Sequence, residues 1–130
     1  MNRAVFLDRD GVINELIYYE EQGIIDSPFT VEQLKLFPWA SEAIKKLSEA
    51  GYKVVIVSNQ PGIAKGHLSW KTFEKIRERM REKLAKQGAF VDGEYYCFHH
   101  PDARVDSLRA NCECRKPKPG LLLQAARELN

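Results

Sequence analysis

Two aspartates one residue apart, Asp8 and Asp10, stand in the stretch Phe6-Leu7-Asp8-Arg9-Asp10-Gly11-Val12-Ile13-Asn14. They follow directly on the apolar run Ala4-Val5-Phe6-Leu7. An unbroken apolar run predicts a strand covered on both faces, as in a parallel sheet. In open α/β sheets chemistry collects just beyond the carboxyl ends of the strands, which is where Asp8 would stand. A carboxylate there can attack phosphorus and form an aspartyl-phosphate, with Mg²⁺ screening the charge. Asp10, on the next turn, can handle the proton of the leaving group. Gly11 lets the chain turn sharply and turn backbone N–H groups toward an anion. Taken alone, such a pair reads equally well as two surface-loop aspartates.

Three further clusters bear on that choice. Ser58-Asn59 ends a second apolar run, and a hydroxyl and an amide there can hydrogen-bond phosphate oxygens without adding charge. The alternative is a polar turn. The segment Cys114-Arg115-Lys116-Pro117-Lys118-Pro119-Gly120 offers fixed positive charge, which a phosphate dianion beside two aspartates needs. Arg chelates phosphate oxygens in a bidentate manner, and Lys serves as a point charge. Its alternative is a basic turn ahead of a helix.

The third cluster is Cys97-Phe98-His99 with Cys112-Glu113-Cys114. Three thiols and one imidazole make a complete zinc ligand set with no open position, so the Zn²⁺ is expected to be structural. His100 is the competing imidazole, and three reduced thiols without metal are the alternative. An odd number of cysteines in a chain expected to be cytoplasmic argues against a disulfide framework.

Those residues need elements to hold them. The first strand is expected over residues 3–7. Residues 14–38 read as a functional loop, whose Tyr18, Tyr19 and Phe29 either line a substrate mouth or pack over the sheet edge. Ser41 is expected to cap a helix carrying Ile44, Leu47 and Ala50 and stopping at Gly51. Lys53-Val54-Val55-Ile56-Val57 predicts a second buried strand. Strand, helix and strand make a βαβ unit with parallel strands, which brings Asp8 and Ser58 to one sheet edge. From Ser69 a longer helix carries the stripe Phe73, Ile76, Met80 and Leu84. Its Arg77, Arg79, Arg81 and Lys83, alternating with Glu78 and Glu82, read as a solvated face. A short strand near residues 94–97, the cysteine loop over 97–114 and a last helix over 120–129 follow.

The chain has 130 residues, enough for one domain with its own core. Its apolar runs are too short to cross a bilayer, and it has no signal-peptide pattern, so no membrane partner is expected. A net charge of +2, with basic residues scattered and no aromatics interleaved among them, argues against nucleic acid.

Taken together, FLDRDGVIN, VVIVSNQPGIAKG, CFHHP and CECRKPKPG resemble the haloacid dehalogenase (HAD) superfamily of phosphatases, and within it the histidinol-phosphatase-like branch. The resemblance implies a Rossmann-like α/β three-layer sandwich with a mainly parallel sheet, no large cap domain and a zinc-stabilised loop. It makes Asp8 the nucleophile and Asp10 the general acid/base. Mg²⁺ binds the Asp8 carboxylate and the Asp10 backbone carbonyl. Ser58, Asn59 and Lys116 hold the transferring phosphoryl group, with Lys118 as the fallback lysine. Tyr19, Gln60, Pro61 and Arg115 touch substrate, and Cys97, His99, Cys112 and Cys114 bind Zn²⁺. The implied substrate is a small sugar phosphate, a heptose bisphosphate ahead of histidinol phosphate. The superfamily's fourth motif, commonly G-D-x-x-x-D, is not found. The expectation is therefore of a fragment, a truncated form, or a partner chain that supplies the missing carboxylate. A monomer is otherwise expected, with association through an exposed sheet edge as the exception. A zinc-stapled module that binds phosphorylated ligands without turnover is the rival reading.

Overall fold

A computed structural model describes residues 2–129. In chain order its elements are β1 (Arg3–Leu7), β2 (Ile17–Tyr19), β3 (Ile24–Asp26), α1 (Ala40–Glu49), β4 (Tyr52–Asn59), α2 (Trp70–Ala85), β5 (Gly93–Cys97) and α3 (Gly120–Leu129). The β-branched run of β4 is the centre of the fold. Val54, Val55 and Ile56 have no exposed surface, and β4 lies between β1 and β5 with both pairings parallel. All three strands therefore deliver their carboxyl ends, at Leu7, Asn59 and Cys97, to one edge.

The pleat of β4 sorts the core into two layers. Val54 and Ile56 face α1 and α2, meeting Ile44, Ile76, Met80 and Leu84. Val55 and Val57 face α3, meeting Leu121 and Ala125. The result is the expected three-layer α/β arrangement. The stripe of α2 is buried as its 3.6-residue spacing predicts, with Phe73, Ile76, Met80 and Leu84 each 2% exposed or less. Ser69 caps that helix, its Oγ accepting the Thr72 N–H at 3.1 Å.

Four expectations need correction. β1 is not covered on both faces: Val5 and Leu7 are half-buried, but Phe6 is 40% exposed. The reason is topological, since β1 is the outer strand and α3 packs over β4 and β5. Ala4 and Phe6 instead border a recess of about 340 Å³ with Val55, Ala125 and Ala126. Ser41 does not cap α1. The helix begins one residue earlier, behind Trp39, and Ser41 is buried within its first turn. Its other end behaves as read, with Gly51 in the left-handed region at φ +92°.

Nor is the charged flank of α2 simply solvated. Arg77 and Arg81 both pair with Glu94 of β5, whose side chain is 2% exposed, and Arg77 Nε lies 3.1 Å from Glu94 Oε1. The Tyr96 hydroxyl donates to the same carboxylate at 2.5 Å. Lys83 donates to the Leu34 carbonyl at 3.2 Å. Replacing Arg77 and Arg81 together by methionine leaves Glu94 as an unpaired buried charge. That is expected to cost about 3–5 kcal/mol. Glu94→Leu should cost less, because both arginines can turn to water. Denaturant melts of the two variants check that order.

Residues 14–38 are more structured than a loop. β2 and β3 pair antiparallel around Gly23, and a 3₁₀ turn follows over Val31–Gln33. Among the described residues no helix is long and apolar enough to cross a membrane.

Candidate active site

Where β1 ends, the chain folds back on one acceptor. The Arg9 carbonyl takes the N–H groups of Val12, Ile13 and Asn14 at 3.3, 2.8 and 3.2 Å. Closing that turn needs φ +85° at residue 11, which glycine adopts without strain. Asp8 and Asp10 are fixed on either side of it.

The Asp8 side chain is 42% exposed, against 30% for Lys116. Its Oδ1 accepts the Arg9 N–H at 2.8 Å, and its Oδ2 lies 3.2 Å from Lys116 Nζ. Lys116 comes from the distant basic segment and also donates to the Val57 carbonyl at 3.0 Å. It is Lys116, not the fallback Lys118, that reaches Asp8. Asn59 explains why. Its Oδ1 accepts the Lys116 N–H at 2.8 Å, and its Nδ2 donates to the Lys116 carbonyl at 3.2 Å. The side chain expected to meet phosphate thus clamps the lysine's own backbone.

Asp10 sits in a buried polar network. Oδ1 accepts from Arg9 Nε at 3.1 Å, Arg9 Nη2 at 3.0 Å and Asn14 Nδ2 at 3.1 Å. Oδ2 accepts from Gln60 Nε2 at 2.7 Å. Gln60, expected to touch substrate, is 5% exposed and also donates to Ser58 Oγ at 3.0 Å. Ser58 is 1% exposed. Pro61 begins the following turn, its carbonyl accepting the Lys65 N–H at 2.9 Å. Sequence reading assigns no role to Arg9 or Asn14. An arginine between two aspartates was the one available signal.

The cysteine loop brings its four expected ligands together. Cys97 Sγ, His99 Nδ1, Cys112 Sγ and Cys114 Sγ lie within 4.8 Å of one another. Neighbouring sulfurs are 3.2 and 3.3 Å apart, and His99 Nδ1 is 3.4 Å from Cys114 Sγ. Metal–sulfur bonds of about 2.3 Å in a tetrahedron put sulfurs roughly 3.8 Å apart, so a small inward metal fits with slight expansion. All three thiols are free. Burial resists ionisation of all three, and in Cys112 hydrogen bonds from Cys114, Cys97 and the backbone outweigh it and draw the thiol down to about 6. His100 is not in the cluster; its Nδ1 accepts the Asp102 N–H at 3.0 Å. Gly120 closes the segment. A Cβ there would stand 2.4 Å from the Glu113 carbonyl oxygen, against which Gly120 N–H bonds at 2.9 Å.

On the hairpin side, Tyr19 stacks on Phe29 and Phe29 on His67, each pair 4.6 Å between ring centres. The Tyr19 hydroxyl donates to the Ser27 carbonyl at 2.7 Å and accepts the Phe29 N–H at 3.1 Å. Burial raises its pKa above the ordinary tyrosine value. A recess of about 360 Å³ opens beside these rings. A second, of about 190 Å³, lies against Asn111, Arg115, Lys116 and Lys118. The Arg115 charge joins that of Lys65 in lowering the His100 pKa, behind the larger effect of burial.

The family model described as polynucleotide kinase 3 phosphatase matches residues 28–130. The chain belongs to this family of HAD-like phosphatases. Its similarity to other HAD-like phosphatases covers nearly its whole length. It is 41% identical over 130 residues to the D-glycero-beta-D-manno-heptose-1,7-bisphosphate 7-phosphatase of Pasteurella multocida, covering 100% of this chain and 66% of that protein. A HAD-like phosphatase from Mesorhizobium loti superposes with a TM-score of 0.84 at 34% identity, over 98% of this chain and 57% of that one. D,D-heptose 1,7-bisphosphate phosphatase from B. bronchiseptica, complexed with magnesium and phosphate, gives 0.78 at 32% identity, over 98% and 63%. The chain thus spans 57–66% of the length of these HAD-like phosphatases.

Proposed function

We propose that this chain carries the nucleophile and phosphoryl-binding half of a phosphatase acting on a heptose 1,7-bisphosphate. The observation that carries the reading is the meeting of Asp8 with Lys116 at 3.2 Å beside Asp10, on the sheet edge where three strands end. Relatives named for heptose 1,7-bisphosphate support the substrate. So does the 190 Å³ recess with Arg115, Lys116 and Lys118 on its wall, which suits a second phosphate.

Asp8 attacks phosphorus as the bond to the sugar oxygen breaks, and Asp10 gives that oxygen its proton. Asp10 then takes a proton from the water that attacks the Asp8 phosphoryl group. Lys116, held by Asn59 and the Val57 carbonyl, meets the negative charge without rearranging. The Asp8 carboxylate keeps lone pairs free beyond its two partners, and its oxygens suit a hard cation. Mg²⁺ bound there and at the Asp10 backbone carbonyl would neutralise charge on the transferring group. Cys97, His99, Cys112 and Cys114 would hold a structural Zn²⁺ that keeps Lys116 in place. The reaction would take place in the cytoplasm.

Phosphate release from heptose 1,7-bisphosphate, with histidinol phosphate as comparison, tests the reading. Turnover of the heptose ester at saturating Mg²⁺ is expected. One observation favours a second reading, a module that binds phosphorylated ligands without turnover. Among the described residues no third carboxylate, imidazole or thiol gathers with Asp8 and Asp10. Tight binding with no phosphate release would select it.

Asn59→Leu removes both hydrogen bonds to the Lys116 backbone. Displacement of the ammonium by about 1 Å is expected to lower kcat by roughly 10–10²-fold. Asn59→Asp keeps the acceptor for Lys116 N–H and should lose less. Steady-state kinetics of both variants read the difference.

A further inference from the structure

Arg9 is the largest of the fully buried side chains, at 1% exposure, and lies between the two aspartates in sequence. Burying a guanidinium costs several kcal/mol that must be offset locally. Arg9 Nε and Nη2 fork onto Asp10 Oδ1, and Nη2 also reaches Gln60 Oε1 at 3.1 Å. Its guanidinium carbon stands 5.8 Å over the Phe73 ring, anchored on the helix core. Gln60 returns the contact through Nε2 to Asp10 Oδ2. Arg9, Asp10 and Gln60 thus close a ring of hydrogen bonds, and both Asp10 oxygens are fixed.

The two oxygens are not equivalent. Oδ1 receives three donors from two buried side chains, Arg9 and Asn14. All three are satisfied by the unprotonated oxygen. Oδ2 receives one neutral amide and retains a free lone pair. We propose that Arg9 and Gln60 are positioning residues that pin the Asp10 carboxylate so that Oδ2 alone carries the catalytic proton. The assignment rests on Asp10 acting as acid and base in the phosphatase reading. Oδ2 can bear the proton toward the leaving oxygen while its other lone pair still accepts from Gln60. Gln60 also ties Oδ2 to Ser58 Oγ, so the acid/base is set relative to the end of β4. Gln60 then acts through Asp10, not on substrate, in keeping with its burial.

The test separates proton delivery from attack by choice of leaving group. The full-length protein, Gln60→Leu and Arg9→Lys are compared on the sugar phosphate and on p-nitrophenyl phosphate, whose phenolate departs without a proton. In both variants kcat on the sugar phosphate is expected to fall by roughly 10²-fold or more, with KM little changed. The pre-steady-state burst of p-nitrophenolate, which needs Asp8 but no acid, should persist. Gln60→Leu preserves shape and leaves the Arg9–Asp10 pair intact, so it carries the test if Arg9→Lys fails to fold. Equal losses of burst and sugar turnover would overturn the assignment, as would a raised KM at unchanged kcat, the mark of a substrate contact. A parent inactive on both esters sinks the phosphatase reading itself, and the assignment with it.

Discussion

Asp8→Asn is expected to lower turnover by roughly 10⁴–10⁶-fold, the scale seen when a covalent nucleophile is removed. Asparagine keeps the shape and can still accept the Arg9 N–H, but its amide nitrogen cannot attack phosphorus or pair with Lys116. The fold should not notice. Asp8 is 42% exposed, and its ion pair with Lys116 is half in water. Pairs so placed contribute about 0–1 kcal/mol. A normal melting curve with phosphate release at background is therefore the expected pairing. A variant with a tenth of the parent's turnover would move the nucleophile elsewhere.

The second large effect is loss of metal from the cysteine loop. Structural zinc contributes about 10–16 kcal/mol of apparent binding energy in small sites. A domain's whole stability is about 5–15 kcal/mol, so zinc held as proposed by Cys97, His99, Cys112 and Cys114 would carry a large share of the order of this loop. Over residues 97–114 the buried apolar side chains are Cys97, Ala103 and Leu108, of which Leu108 alone is large. The loop's far end leads directly into Arg115 and Lys116, and Gly120 is seated on the Glu113 carbonyl. Cys112→Ser, or chelation, is expected to lower Tm by roughly 10 °C or more and to abolish activity even with Mg²⁺ in excess. Calorimetry alongside metal analysis reads both. Unchanged Tm in protein free of zinc would remove the metal's structural role.

Where sequence and structure agree, the signal was local. The β-branched run 54–57 reads as a buried strand, and the spacing of Phe73, Ile76, Met80 and Leu84 as a buried helix face. Cys97-x-His99 with Cys112-x-Cys114 needed no knowledge of the fold to suggest a metal. The failures share a different cause. Phe6 reads as buried because its own segment is apolar, yet its exposure depends on where α3 packs, more than a hundred residues away. Arg77 and Arg81 fit a solvated pattern until Glu94 arrives from another element. Asn59 and Gln60 carry amides that suit phosphate as well as they suit protein. Which protein groups those amides also meet, Lys116 across 57 residues and Asp10 across 50, is set by the fold. Side-chain chemistry is legible in a motif; the partner that claims it is a property of the fold.

In the proposed reaction Asp8 becomes phosphorylated. Full-length protein mixed with heptose 1,7-bisphosphate and Mg²⁺, acid-quenched within a turnover and reduced with borohydride, should yield homoserine at residue 8 in peptide mass spectra. Acyl phosphates are reduced this way and free carboxylates are not. Homoserine at position 8, absent without substrate, is the predicted result. Steady phosphate release with an unmodified Asp8 in every quenched sample would rule out Asp8 as the nucleophile.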